Sequence, residues 1–413
     1  MSSAVVFNLG CKVNQYECDT LVSGLKELGY TTHEELVPAD IYIVNTCAVT
    51  NEAERKSRQI IARILKLNPN AYIMITGCAS QKNRDFYVEK GINYVGGVAK
   101  KSDILAHIGS DYVEMSELST KYEEQLNYAD PVRTRAYVKV QDGCNNFCTY
   151  CIIPHLRGRS RSRSVQSAVQ EIKHLAQFTK EIVITGINIS HYGEDNGESL
   201  TMLINGIKDV DVRIRLGSVY VEGITQELLE ALFSLQHFCP QFHLSLQHGD
   251  NAVLASMNRH YTAKEYKEKV DLIRSFDDNS AITTDIIVGF PTETAEAFQN
   301  TVDFVREVKF SDIHIFPYSK REGTKAYSMG QLDSEVVKNR KTALEEVRKE
   351  LREQYLEKLY SVPQTVLFEE TNREGMSCGY SEYYIRCYAE NAEGVHLVAP
   401  SEIYKEGYKG ELK

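Results

Sequence analysis

The 413-residue chain has no tryptophan and only nine prolines. It also has no apolar run near the roughly 18 residues that a membrane-spanning helix needs. Transmembrane and proline-rich classes are set aside, and the remaining composition is that of a globular chain. An excess of positive charge is missing too. The formal net charge is −10, so a nucleic-acid partner must be held by a local basic patch rather than by the field of the whole molecule. Nor is there a secretion signal: "NLGC" near the start has the look of a lipoprotein box, but only about six apolar residues and no basic residue precede it. The chain reads as cytoplasmic, with no membrane partner, and is long enough for two or three domains.

Against these absences stand ten cysteines. In a long chain without a secretion signal, clustered cysteines point to metal or catalysis rather than to disulfides. Three of them end apolar, strand-like runs: "AVVFNLGC" reaches Cys11, "IYIVNTC" reaches Cys47 and "AYIMITGC" reaches Cys78. Helical periodicity lies between the runs, over Asn14–Leu28 up to Gly29, and over Asn51–Leu67 with Asn51 as N-cap and Asn68-Pro69 as stop. Strand alternating with helix predicts a doubly wound parallel sheet, whose ligands bind beyond the carboxyl ends of the strands. Cys11, Cys47 and Cys78 are therefore expected to converge as ligands on one edge. The bland reading is three separate buried thiols.

An acidic, weakly patterned span, Ser110–Pro131, reads as a linker. The domains expected are 1–125, 131–360 and 361–413. The second opens with "RAYVKVQDGCNNFCTYCIIPHLRGRSRSRS", which puts Cys144, Cys148 and Cys151 at C-x3-C-x2-C spacing. Three thiolates on one compact loop suit three irons of a cubic 4Fe–4S cluster and leave the fourth iron open. Zinc is the alternative, with His155 as fourth ligand, although Pro154 makes that path awkward. Five further strand-like runs follow: Glu181–Gly186, Asp211–Ser218, Gln241–Gln247, Ala281–Gly289 and Asp312–Ser319. Helical stretches over Val165–Phe178, Gln226–Leu235, Ala263–Ser275 and Thr294–Val308 separate them. Six β/α repeats predict an open (β/α)6 barrel with its chemistry at the carboxyl strand ends and a lateral gap for a large substrate.

After a charged helix, Glu335–Leu359, short alternating strands from Pro363 onward predict a small β-barrel. Tyr380, Tyr383 and Tyr384 there either stack RNA bases or pack the barrel. Arg157, Arg159, Arg161 and Arg163 alternate beside the cysteine loop. On an extended segment they would share one face and suit a phosphate track or a substrate carboxylate; the bland reading is a solvated or ion-paired loop. Cys18, Cys239, Cys378 and Cys387 are expected to be packing thiols.

The cysteine loop followed by β/α repeats resembles the radical S-adenosylmethionine (SAM) superfamily. "GCKVNQYE", "NTCAVT", "TGC", "GCNNFCTYCIIPHLRGRSRSR", "SLQHGDN", "MNRHYT", "DIIVGFPTET" and "FPYSKREGTKA" together look like its methylthiotransferases, in order and over nearly the whole chain. The terminal barrel is similar to their TRAM domain. "GCKVNQYE" looks like the subgroup acting on N6-threonylcarbamoyladenosine in tRNA; the alternatives are isopentenyladenosine tRNA and an aspartate of a ribosomal protein.

The resemblance implies two 4Fe–4S clusters, one on Cys144, Cys148 and Cys151 that cleaves SAM to a 5′-deoxyadenosyl radical, and one on Cys11, Cys47 and Cys78 that supplies sulfur. A first SAM methylates that sulfur, a second activates carbon 2 of the adenine, and the methylthio group is joined there. SAM contacts are expected from Phe147, Tyr150, Gly186, Asn188, Arg215, Ser218, Gln247, Val288, Gly289, Phe290 and Pro291. RNA contacts are expected from the four arginines with Tyr383 and Tyr384. The partners implied are the anticodon stem-loop of a tRNA and an electron donor such as flavodoxin, with the enzyme a monomer.

Overall fold

A computed structural model describes residues 2–114, 117–125, 128 and 134–413. The first unit is a six-stranded sheet in the order Thr31–His33, Ser3–Asn8, Ile41–Thr46, Tyr72–Gly77, Tyr94–Gly96, Tyr112–Glu114, parallel throughout. The central strand Ile41–Thr46 is buried along its whole length, as a strand covered on both faces must be. Its successive side chains serve opposite faces. Ile41 and Ile43 pack with Leu21 and Leu25 of helix Lys12–Glu27, and Tyr42 and Val44 with Ile60, Ile61 and Ile64 of helix Asn51–Leu67. The doubly wound sheet is thus present. The N-cap of the second helix is Thr50, whose hydroxyl accepts the Ala53 N–H at 3.1 Å, and not Asn51.

The segment expected as a linker is only partly one. Tyr112–Glu114 is the sixth strand, and beyond it the chain is tied back to the body. The Tyr122 hydroxyl donates to the Lys139 carbonyl at 2.8 Å, Glu123 accepts the Lys100 N–H at 2.8 Å, and Glu124 pairs with Arg163 at 2.8 Å. Residues 115–116, 126–127 and 129–133 of this stretch lie outside the described residues.

The second unit carries six parallel strand positions, Arg135–Asp142, Glu181–Gly186, Arg213–Leu216, Gln241–Leu244, Ala281–Val288 and Asp312–Pro317. With the short strands Arg161–Ser162, antiparallel to Arg135–Asp142, and Ser218–Val219 they form two four-stranded sheets. Gly217 splits the run expected over Asp211–Ser218, and the piece beyond it, Ser218–Val219, pairs with Gln241–Leu244 and carries the wall across. The strands alternate strictly. Ala136, Val138, Ile182, Ile184, Ile214, Phe242, Ile282, Ile286 and Ile313 face the helices in one core. Arg135, Glu181, Arg213, Arg215, His243, Asp285 and His314 take the intervening positions and line a polar lumen.

Helix Ser334–Leu359 leads to a closed barrel of five strands, Gln364–Thr371, Ser377–Ser381, Arg386–Ala389, Gly394–Tyr404 and Gly407–Leu412. This barrel closes the amino-terminal end of the lumen. Arg213 donates to the carbonyls of Thr365 (2.6 Å) and Tyr380 (3.3 Å), and Arg215 to those of Ser381 (3.0 Å) and Glu382 (3.1 Å). Access to the lumen is left to the other end and the side.

That joint corrects two expectations. Arg215 sits at the closed end, paired with Glu181 at 3.0 Å, so it is a structural clamp rather than a cofactor contact. Tyr384 stacks on Tyr380 with centroids 4.5 Å apart and lies against Arg215, while Tyr383 packs against the barrel's own core. Both tyrosines are engaged at the joint between barrel and sheet, with 36% of Tyr384 left exposed. Cys18, Cys239, Cys378 and Cys387 are buried, as packing thiols should be.

Candidate active site

Two sets of cysteines face the open end of the lumen. Cys144, Cys148 and Cys151 follow strand Arg135–Asp142. The turn that starts their loop needs Gly143, whose φ is +71° and where a Cβ would fall 1.9 Å from the Arg159 carbonyl oxygen. Cys144 and Cys148 are buried and Cys151 is half-buried. The Asn188 side-chain amide lies 3.8 Å from the Cys144 sulfur, its own carbonyl oxygen has no partner among the described residues, and Arg259 donates to the Cys148 sulfur at 3.5 Å.

The second set is assembled from three strand ends. Cys11 is the N-cap of helix Lys12–Glu27, Cys47 follows Ile41–Thr46, and Cys78 opens helix Cys78–Lys82. Gly77 permits the last turn: its φ is +108° and a Cβ would lie 2.3 Å from the Thr46 carbonyl oxygen. Cys11 and Cys78 both perturb Cys47, so the three thiols are electrostatic neighbours. Burial pushes Cys47 up to about 11 and Cys151 up to about 12, and nearby thiols add to the effect. Only a positively charged ligand would hold such groups as thiolates.

Among the described residues, the sulfurs of neither set all lie within 4.8 Å of one another. A single tetrahedral zinc, with Zn–S near 2.3 Å, needs sulfurs about 3.8 Å apart. Three thiolates that lead to three separate irons of a 4Fe–4S cluster need no such close approach. His155 is exposed, and Pro154 occupies the first turn of the short helix Ile153–Arg157, so no fourth zinc ligand is supplied from there.

Between the sets lies a cavity of about 260 Å³. Val49 and Thr50, just past Cys47, form one wall and Tyr150, between Cys148 and Cys151, another; Gln247, Asp285 and Phe316 complete it. Two of the expected SAM contacts, Tyr150 and Gln247, therefore line a space reached from both cysteine loops. Asn188 stands beside Cys144. The others are placed differently. Phe290 is fully buried against Tyr318, and Gly289, with φ +77°, donates its N–H to Glu293; both shape the turn. Val288 is buried, its carbonyl accepting from the Tyr318 N–H, and Pro291 follows Phe290 out of the turn. Gly186 is required by close packing on Ile189 and Gln141. Phe147, half-buried on the cysteine loop, lies under the Arg159 guanidinium at 4.4 Å, and Ser218 is exposed.

The expected arginine track is corrected too. The segment is not extended: it turns through a helix, and only Arg159 is exposed. Arg157 is fully buried and bonds to Glu17 (3.1 Å), Asp142 (3.1 Å), Asn14 (3.1 Å) and the Cys78 sulfur (3.3 Å). Arg161 donates to the carbonyls of Arg157 and Arg159, and Arg163 pairs with Glu171 and Glu124.

Glu17 is the hub of this network, meeting Lys101, Lys139 and Arg157. Burial alone would raise its pKa, but Arg157, Lys101 and Lys139 together hold it well below the ordinary carboxylate range. Helix Lys12–Glu27 and the cysteine loop are thereby locked together. Four residues of the site were not singled out from sequence: Glu17 and Lys101 of that network, Arg259 from "MNRHYT", and Arg321 from "FPYSKREGTKA". Arg321 lines the cavity, bonds to Asn51 (2.9 Å) and Glu54 (3.4 Å), and has Nε and Nη2 buried without a partner among the described residues.

The chain is similar to known proteins over nearly its whole length. A model of the radical SAM superfamily matches residues 138–305, and one of the uncharacterized protein family UPF0004 matches residues 3–96. The threonylcarbamoyladenosine tRNA methylthiotransferase MtaB of Bacillus subtilis is 35% identical over 99% of this chain and 95% of its own length; that of Thermotoga maritima is 38% identical over 98% and 96%. A tRNA-2-methylthio-N(6)-dimethylallyladenosine synthase of a Thermoanaerobacter species is 37% identical over 80% of this chain and 74% of its own. Among solved structures, the radical SAM methyltransferase TsrM of Kitasatospora setae has a TM-score of 0.57 at 16% identity, over 79% of this chain and 77% of that one, a likeness of fold.

Proposed function

From the premise that the chain belongs to the radical SAM methylthiotransferase family, we propose that it adds a methylthio group to carbon 2 of N6-threonylcarbamoyladenosine beside the anticodon of tRNA. The end-to-end match carries the choice of substrate. Relatives named for threonylcarbamoyladenosine align over 89–96% of their length, the dimethylallyladenosine synthases over 74–85%.

Cys144, Cys148 and Cys151 would hold the SAM-cleaving 4Fe–4S cluster, and Cys11, Cys47 and Cys78 a second one. When bound, these groups supply the 5′-deoxyadenosyl radical and the sulfur. The chain itself supplies position and exclusion of water. Asn188 and Arg259 orient the loop set by donating to its sulfurs, and Arg157 does the same for Cys78. Tyr150, Gln247 and Phe316 wall the space between them, and Phe316, 44% exposed in an otherwise polar lumen, offers a face for a flipped base. Arg159 is the one cation of the former arginine track free to meet RNA phosphate. The electron comes from a protein donor such as flavodoxin, and the enzyme works as a cytoplasmic monomer.

The test is nucleoside mass spectrometry after anaerobic reaction of the cluster-loaded chain with SAM, a reductant and two tRNAs. A methylthio product from threonylcarbamoyladenosine alone is expected. Product only from dimethylallyladenosine would refute the substrate, and SAM cleavage without either product would point to a protein substrate.

A further inference from the structure

At the start of helix Lys12–Glu27 nearly every polar side chain is engaged. Asn14 bonds to Asn45 and Arg157, Gln15 to Asn8 and Asp19, Tyr16 to Glu171, and Glu17 to Arg157 and two lysines. Lys12 has neither a hydrogen bond nor an ion pair among the described residues. The charged groups that act on it are Arg215, Arg135 and Glu181, all at lumen positions of their strands, and the thiol of Cys11.

These surroundings are short of negative charge. Glu181 is already shared by Arg135 (2.6 Å), Arg213 (3.0 Å) and Arg215 (3.0 Å). Two other carboxylates face the group: Glu369, which pairs with Arg135 at 3.1 Å, and Glu382, near Arg213 and Arg215. At this end of the lumen Lys12 and the three arginines thus outnumber Glu181, Glu369 and Glu382 by one, Asp285 further along being already bonded to His243 and His314, and the ammonium without a partner is that of Lys12. A partly buried cation left unpaired is costly, and an anionic group entering the lumen would relieve it.

Resting on the substrate read above, we propose that Lys12 binds the carboxylate of the threonylcarbamoyl group and is a specificity-determining residue. The chemistry fits in reach as well as charge. Carbon 2 of the adenine must approach the set that contains Cys11, and Lys12 is the next residue. N6 stands on the same six-membered ring as carbon 2, and its threonyl carboxylate lies a few bonds further, within a lysine side chain's length. A neutral dimethylallyl group would leave the ammonium unpaired, so the same residue disfavours that substrate. Three of the four arginines near the cysteine loop do not compete for this role, because Arg157, Arg161 and Arg163 are engaged within the protein, and the fourth, Arg159, is exposed over Phe147.

The test compares three anticodon stem-loops, with the threonylcarbamoyl acid, its methyl ester and unmodified adenosine. Fluorescence anisotropy reads their affinity for the cluster-loaded chain and for its Lys12→Met and Lys12→Arg variants. The native chain is expected to prefer the acid over the ester by about tenfold, the worth of one charge-assisted hydrogen bond. Lys12→Met brings that ratio to within about twofold, and Lys12→Arg restores most of it. Equal binding of acid and ester by the native chain overturns the proposal even if a variant fails to fold. A ratio retained in Lys12→Met does so too and moves the carboxylate elsewhere, with the bare guanidinium edge of Arg321 the next candidate. Methylthio product still formed from the acid in either case leaves the function standing; no product from the acid refutes the function itself.

Discussion

Cys144, Cys148 and Cys151 come from one short loop, whereas Cys11, Cys47 and Cys78 come from three strand ends held in register by a parallel sheet. Each set receives an arginine N–H on one sulfur, yet the two arginines live in opposite surroundings. Arg157, at Cys78, is enclosed by the carboxylates of Glu17 and Asp142. Arg259, at Cys148, lies over the rings of Tyr220 (4.2 Å) and Tyr261 (4.9 Å) and donates to the Ser245 carbonyl at 2.7 Å. Near Cys78 the positive charge is neutralised inside the protein. Near Cys148 it is not, and acts on whatever the cysteines hold. One arginine is chiefly a fastener between units, the other chiefly an electrostatic partner of the site.

The sharpest way to break this comparison is to remove one sulfur from each set. Cys148→Ala and Cys78→Ala are each expected to lose about half of the bound iron and sulfide. Cys148→Ala should lower SAM cleavage by about a hundredfold or more, while Cys78→Ala keeps the cleavage and loses the methylthio product. Iron assay with quantification of 5′-deoxyadenosine measures both. Loss of SAM cleavage in Cys78→Ala would show that the two sets do not act separately.

A smaller effect separates the arginines. Arg157→Leu leaves Glu17 buried with Lys101 and Lys139, and Asp142 with Lys139 and a more distant Arg161, at a cost of about 3–5 kcal/mol in stability. Arg259→Leu removes one donor each from the Ser245 carbonyl and the Tyr261 hydroxyl, which keep their bond to each other, and costs about 1–3 kcal/mol. Urea unfolding of the cluster-free chain compares the two. Equal losses would mean that Arg259 too is mainly a fastener.

The contrast between the sets also explains what could be read in the sequence. The loop set announces itself, because its ligands are neighbours in the chain and their spacing is their geometry. The strand-end set was legible for a different reason: alternating strand and helix fixes which ends of the strands coincide, so cysteines far apart in sequence become neighbours by topology alone. What stayed illegible were partners chosen by packing between units. Glu17 meets Arg157 and Lys101 only because helix Lys12–Glu27 docks on the cysteine loop, and no local pattern encodes that. The alternate arginines misled for the same reason. Their period of two implied an exposed strand, but the short helix at Ile153–Arg157 and the turn at Gly158 rotate three of them inward to carboxylates and carbonyls contributed from elsewhere. Arg215 failed likewise: a lumen position at a strand end was legible, but not that the terminal barrel would close that end.

The smallest expected effect lies in the lumen that the two sets share. His314 stands 3.2 Å from Asp285, which also meets His243 at 3.3 Å. The hydrogen bond to Asp285, against some loss from burial, raises the pKa of His314 above its ordinary value. Burial would raise Asp285, but its bonds to His243 and His314 outweigh that and keep it ionised. A histidine raised in this way stabilises the fold fully below its unfolded pKa of about 6.5, and the contribution is lost as pH rises through the higher folded value. The His314 side chain is 54% exposed, so solvent screening limits the contribution to a few tenths of a kcal/mol, about 0.5 at most. The titration itself is the better readout. In an NMR pH series, the His314 ring should titrate above 6.5 in the native chain and fall back toward the ordinary value in Asp285→Asn. An unmoved midpoint would detach Asp285 from His314. The expected shift would add a second titrating cation to the lumen of Arg215 and Glu181, one that fades as pH rises through its folded pKa, so that preference for an anionic substrate group should weaken as pH rises.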